Sequence, residues 1–315
     1  MTHLRNIFFD KDFTENGKYS GDLPEWDLTD LYTNTDCSEI SRDLTWLKNE
    51  CKMFANEFEG KLAELNAIEF LACLRRSEKI SNISGRLISY AGLRYYQATT
   101  DGERTKFLSD IQEKITIYTS SLIFFNLELN RLPHGHLDGL YSKNEDLHRY
   151  KPVLDKIRAL QPYQLSDELE KFLHEMGIVG DAWEKLFDET IAGLEFSLDD
   201  QILNLESTLN LLTDHDRSKR KAGAQEIAKI FSKNLKIFAR IHNTQAKEKE
   251  IIDKWRGMPS AQFGRHLAND VEPEVVEALR NAVVASYPDL SHRYYELKRK
   301  WMGLDHLEIW DRNAP

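Results

Sequence analysis

Apolar positions along the 315-residue chain recur mostly at spacings of three and four, the period of a helix with one buried face. After an N-terminal segment expected to be extended, LPEWDLTDLY (Leu23 to Tyr32) carries a proline, a tryptophan and two candidate caps, Asp27 and Thr29, which predict a short turn. From about Ser38 to Asn56, Ile40, Leu44, Leu47, Cys51 and Phe54 form one stripe. A second helix is expected from about Ala67 to Ala98 through Phe70, Leu74, Ile80 and Leu87, with Gly85 and Gly92 permitting a bend or the close approach of another helix. A third pattern runs from Asp101 to Leu132 and stops at Pro133. Helices of this length joined by short polar turns predict a mainly α multi-helix array or bundle.

The pattern changes once. GLEFSLDDQILNLES, Gly193 to Ser207, alternates apolar and polar residues around Asp199-Asp200 and predicts a small β-hairpin near 194–205. This places a boundary near residue 195, between an N-terminal helical domain (1–195) and the start of a second domain (196–315). In the second, Ile227, Ile230, Phe231, Leu235, Phe238 and Ile241 are expected on one face of a long helix. Pro273 suits a first helical turn between Glu272 and Glu274, and Pro288 is expected to close that segment. Leu290, Tyr294, Leu297, Trp301 and Leu304 then form a stripe terminated by Gly303, with Leu297 and Trp301 expected to expose apolar surface.

Composition narrows the function classes. With 41% hydrophobic residues the chain can fill a sizeable core, and a formal net charge of −10 argues against nucleic acid as a partner. The one basic run, Arg217 to Lys221 (RSKRK), is read as a solvated helix face. Three cysteines, Cys37, Cys51 and Cys73, lack metal-ligand spacing and suit a reducing compartment. Neither a signal peptide nor a membrane span is visible, so the reading is a cytoplasmic protein with no membrane partner and an oligomeric state left open.

Candidate chemistry is sparse. His174-Glu175, in KFLHEMGIVG, resembles half of an H-E-x-x-H zinc signature, but the second imidazole must lie one turn on, and that position is Ile178. The pair is therefore read as an exposed helix end capped by Gly177. His134 and His136 are read as a surface turn, because two ligands leave most of a tetrahedron unfilled. Asp199-Asp200 belongs to the hairpin turn. In GRHLAND (Gly264 to Asp270), a turn whose Asn269 or Asp270 satisfies local backbone donors is favoured over a binding role. Tyr294, Tyr295 and Trp301 are read as helix packing.

Four stretches resemble the oligoendopeptidase F family, the bacterial branch of the thimet-oligopeptidase-like zinc metallopeptidases. They are LPEWDLTDLY, then SYAGLRYYQATTD with FFNLELNRL, then LNLLTDHDRSKRKAG, and finally RHLANDVEPEVVEAL followed by SYPDLSHRYYELKRKWMGLDHLEIWDRNAP. They span nearly the whole chain in the family's order. The resemblance implies a channel-type, zincin-like peptidase that hydrolyses short unfolded peptides by zinc-activated water. The N-terminal helices would wall its channel. It also implies that the zinc ligands, an H-E-x-x-H helix and a later glutamate, fall after Pro315. No catalytic or metal residue is therefore expected in this chain and no zinc is expected bound to it. A truncated form, a split gene or an incomplete sequence is the corresponding expectation, and a non-catalytic peptide-binding module or remnant is the alternative.

Overall fold

The computed structural model describes residues 26–315, so the expected extended N-terminal segment and the first residues of LPEWDLTDLY lie outside the described residues. The turn is present from Asp27 on: its carboxylate accepts from the Thr29 N–H at 3.0 Å, and Tyr32 N–H returns to Leu28 O at 3.2 Å. Tyr32 then locks this segment onto the helices. Its hydroxyl donates to Asp43 Oδ2 at 2.9 Å and accepts from Arg86 Nε at 3.0 Å, while Arg86 also pairs with Asp43. Burial pushes the Tyr32 phenol up to about 12.

The core lies in the first half. Helices α1 (Ser38–Phe58), α2 (Ala67–Tyr96) and α3 (Gly102–Thr119) pack on one another. They bury Leu47, Cys51 and Phe54, then Phe70 and Leu87, then Leu108 and Ile111. Each large side chain removed from water contributes about 1.5–3 kcal/mol. α2 begins with a reciprocal cap: Asn66 Oδ1 accepts from the Ile68 and Glu69 N–H groups, and Glu69 accepts from Asn66 N–H at 3.0 Å. α2 runs unbroken through Gly85, where an added Cβ would meet nothing within 4 Å, so the expected close approach is absent there.

The expected single helix from Asp101 to Leu132 is two helices. A 3-10 turn at Ser120–Leu122 separates α3 from α4 (Ile123–Arg131). Thr119 Oγ1 donates to Ile115 O at 2.8 Å and Ser121 Oγ to Tyr118 O at 3.0 Å, the kind of local hydroxyl bonding that competes with the helical ladder. The turn presents Phe124 and Phe125 to Phe54, with ring centroids 6.1 and 5.5 Å away. Three short helices follow, α5 (His134–Tyr141), α6 (Glu145–His148) and α7 (Lys151–Arg158), and then α8 (Asp167–Ala192).

The hairpin forms where the alternation predicts it. β1 (Phe196–Leu198) and β2 (Gln201–Leu203) pair antiparallel, Phe196 opposite Leu203, and Asp199 and Asp200 turn with φ of 47° and 60°. After α9 (Leu205–Asn210), α10 (Arg217–Arg256) runs for 40 residues, about 60 Å at 1.5 Å per residue. Asp216 caps its start, and Gly257, at φ 70°, its end. Leu235 departs from the expected buried stripe and is 63% exposed.

Beyond α11 (Phe263–Ala268), Pro273 opens α12 (Pro273–Ser286) as expected. Pro288 does not close the segment. The chain continues through a π turn, Pro288–His292, into α13 (Arg293–Trp301), and His292 N–H donates five residues back to Tyr287 O at 2.9 Å. Gly303, at φ 64°, ends α13, with Leu304 N–H on Arg299 O at 3.1 Å. Among the described residues no helix is long and apolar enough to cross a membrane.

Candidate functional site

Two grooves open on either side of a shared line of residues, Ile123, Asn126 and His174. The larger, about 660 Å³, runs between α4, the segment 160–164, α8 and the C-terminal end of α10. The smaller, about 580 Å³, runs between α2, α4 and α7. A concave, partly apolar surface with a few convergent polar groups is where a helical scaffold offers a binding site.

The larger groove is lined by a polar clamp between α8 and α10. Arg256 donates through Nη1 to Glu170 Oε1 at 2.6 Å and through Nη2 to Glu170 Oε2 at 2.8 Å, and its Nη1 also reaches Tyr163 O at 3.1 Å. Leu165 N–H donates to the same carboxylate at 2.8 Å. Burial pushes the Glu170 carboxyl upward, but the Arg256 and Leu165 hydrogen bonds outweigh it and hold it below the usual carboxylate range. Nearer the floor, Asn130 is 5% exposed; its Nδ2 donates to Gln164 Oε1 at 2.9 Å, while its Oδ1 has no partner among the described residues. On the rim, Gly180 lets α8 approach α10 so closely that an added Cβ would lie 3.1 Å from Glu248 Oε1. Glu248 has no ion-pair partner among the described residues, whereas Asp253 is paired with Lys249 at 2.7 Å.

His174 and Glu175 are not at a helix end, and Gly177 is no cap: all three lie inside α8. Helix-forming residues on both sides carry α8 through the glycine. Glu175 Oε1 accepts from Ser120 Oγ at 3.0 Å, and His174 Nε2 lies 3.4 Å from Thr119 Oγ1, so the pair fastens α8 to the break between α3 and α4. His134 and His136 form the first turn of α5 rather than a surface turn, because Pro133 suits the entry to a helix. Asp199-Asp200 is the hairpin turn. GRHLAND is mostly α11, and its exit is closed by the backbone, Val271 N–H to His266 O at 3.1 Å, with Asp270 at φ 54°.

The RSKRK run is only partly a solvated face. Arg220 is 2% exposed and donates to Asp311 Oδ1 at 3.0 Å, Asp214 O at 2.8 Å and Trp310 O at 3.1 Å. Arg217 bonds the same carboxylate through Nη2 at 2.8 Å. Burial raises the Asp311 carboxyl, and its bonds from Arg217, the Glu308 N–H and Arg220 more than reverse this, leaving it far below the usual range. Trp301, read from sequence both as helix packing and as exposed apolar surface, is 73% exposed, while Tyr294 and Tyr295 contact each other edge to face at 5.3 Å.

Asn130, Gln164, Glu170, Gly180, Glu248 and Arg256 were not singled out by sequence. Arg256 and Glu170 lie 86 positions apart, so no local spacing marks them. Asn126 and Asn130 did leave a signal: two asparagines one turn apart in an apolar helix are poor helix formers that need a reason.

No described residues form a metal centre; among them no group of three or more His, Cys, Asp or Glu side chains converges as ligands. A family model described as Oligopeptidase F matches residues 128–196, from within α4 to the first residue of β1. Group B oligopeptidase PepB of Streptococcus agalactiae is 24% identical, over 96% of this chain and 51% of its own length. Oligopeptidase PepF of Bacillus subtilis is 24% identical over 82% of this chain and 40% of its own. The crystal structure of oligoendopeptidase-F from Enterococcus faecium superposes with a TM-score of 0.78 at 22% identity, covering 88% of this chain and 56% of that one, so the fold is shared. The chain spans about half the length of the curated relatives it matches.

Proposed function

This chain is related to the oligoendopeptidase F family along nearly its whole length, as its N-terminal portion, and from that premise we propose that it forms the helical wall of a peptide-hydrolase channel. The observation that carries this reading is the concave face over Ile123, Asn126 and His174, part of whose lining, including Asn130, Gln164, Glu170 and His174, comes from the segment that the family model matches. A channel walled in this way takes an extended chain and not a folded domain, so the wall selects short unfolded peptides.

The proposal includes zinc as the metal of the complete enzyme, where it would activate a water for attack on the scissile carbonyl. The residues present here do not fit a zinc site: the position one turn after His174 is Ile178, and no described trio of ligands converges. No catalytic step is therefore assigned to any residue of this chain. The division near residue 195 belongs to the same proposal, with α1–α8 as wall and the hairpin with α9–α13 as the start of the second domain.

The test is cleavage of an internally quenched peptide by this chain alone and by this chain joined to the remaining half of a relative such as Bacillus subtilis PepF. Chelator-sensitive cleavage is expected only from the joined protein. Cleavage by the 315-residue chain alone, or stoichiometric zinc on it, would overturn the reading.

A further inference from the structure

The larger groove carries more than a shape. Asn130 is buried and one end of its amide is unsatisfied among the described residues, a cost that a ligand or water completing it would remove. Whichever way that amide is turned, one donor or acceptor stays free, and a peptide unit offers both. Close by, Leu127, Leu160, Leu173, Met176 and Ile252 supply apolar wall, and Glu248 presents a carboxylate without a counter-charge among the described residues. Arg256 cannot serve Glu248, since both ends of its fork are taken by Glu170.

We propose that this groove, between α4, α8 and the end of α10, is a binding subsite for an extended peptide segment carrying apolar side chains and one cationic group. The peptide backbone bonds the free end of the Asn130 amide, its apolar side chains cover the leucines, and its lysine, arginine or terminal ammonium pairs with Glu248. This rests on the channel-wall reading and adds to it where a peptide lies and which charge it prefers. The net charge of −10 reinforces the same preference at longer range.

Gly177 supplies a clean test. It lines the groove, an added Cβ there meets nothing within 4 Å, and a bulkier residue is a better helix former, so Gly177→Trp fills the groove in a folded protein. Two fluorescein-labelled octapeptides of alternating leucine and charged residues, one with lysine and one with glutamate, are titrated onto the full chain by anisotropy, with circular dichroism to confirm folding. The lysine peptide is expected to bind the unchanged protein more tightly than the glutamate peptide. Gly177→Trp is expected to weaken it at least about tenfold, and Glu248→Lys to weaken it up to about tenfold while removing the preference for lysine. Binding of the lysine peptide undiminished in both variants overturns the subsite and leaves the channel wall standing. Absence of binding to the unchanged chain also overturns the subsite, whereas the peptidase reading fails only in the cleavage assay.

Discussion

The stretch from Tyr32 to Arg158 and the stretch from Phe263 to Trp301 are both helical, yet they are held in opposite ways. The first buries an apolar cluster in which Leu47, Phe54, Phe70, Leu87, Leu129 and Leu154 are nearly inaccessible to water. In the second, α12 buries no residue, and Val275, Leu279, Val283, Tyr287, Leu290 and Trp301 are between 43% and 73% exposed. Helix ends there are set by Pro273 and by backbone turns such as the one at Gly303, and α13 is attached through Lys298, which donates to Arg312 O at 3.0 Å next to Asp311, itself paired with Arg217 and Arg220 of α10. A periodic apolar stripe thus specifies a helix without specifying that the helix is covered.

The largest effect should come from the first region. Phe54 is 1% exposed and touches Phe58, Phe124 and Phe125, and Arg76 lies 5.7 Å from its ring centroid. Phe54→Ala is expected to cost about 3–5 kcal/mol, read as a lowered denaturation midpoint of the helical signal. A loss under about 1 kcal/mol would mean that this cluster is not what holds α1 to α4.

Next in size is the ionic lock of the second region. Asp311→Ala leaves the buried Arg220 guanidinium without its carboxylate, a change of about 3 kcal/mol. Its effect should be local: faster amide hydrogen exchange in residues 306–315 and the start of α10, with α1–α4 unchanged. Uniform loss of protection across both regions would erase the contrast between them.

Much of this division was legible in the sequence, and the limits are physical. The stripes of α1 and α2, the hairpin with its Asp199-Asp200 turn, and Pro273 as a helix start all follow from local periodicity and turn chemistry. The break at Ser120–Leu122 was not, because the apolar period runs through it and hydroxyl bonds to Ile115 and Tyr118 decide it. The burial of Arg220 and the pairing of Arg217 with the same carboxylate were not legible either, since their partner lies over 90 residues away. The groove suffered most: Glu170, Asn130, Glu248 and Arg256 meet only once α4, α8 and α10 are packed, and only the paired asparagines of α4 hinted at it.

Acid should separate the regions further. Asp311 and Glu170 both have lowered folded-state pKa values. Their stabilisation is therefore complete above the unfolded carboxylate range near pH ~4 and is lost as pH falls through the lower folded values. Asp43 is also held low, but the helices it joins share an apolar core that acid leaves intact. Limited proteolysis with pepsin as the pH is lowered from about 4 to about 2 should cut first around 165–170 and within residues 300–315. First cleavage inside α1 or α2 would show that ionic locks do not set the order of opening.

A smaller effect, of opposite sign, tests the open side of α2. Gly85→Ala fills unoccupied space in a helix interior and should stabilise by about 0.5–1 kcal/mol, seen as a slightly raised Tm. Destabilisation would reveal a helix packed closely on that face after all.

The smallest change in stability should be at Leu279, 65% exposed on α12. Because folding removes little of this side chain from water, Leu279→Ser should alter stability by no more than about 0.5 kcal/mol. Leu279 adjoins Val275 and Val283, one turn away on either side, in a strip of exposed apolar surface, so the substitution touches solvent-facing contacts only. Thermal unfolding of the variant should therefore give a nearly unchanged Tm. A drop of several degrees in Tm would instead make Leu279 part of a buried core, and would place α12 with the first region rather than opposite it.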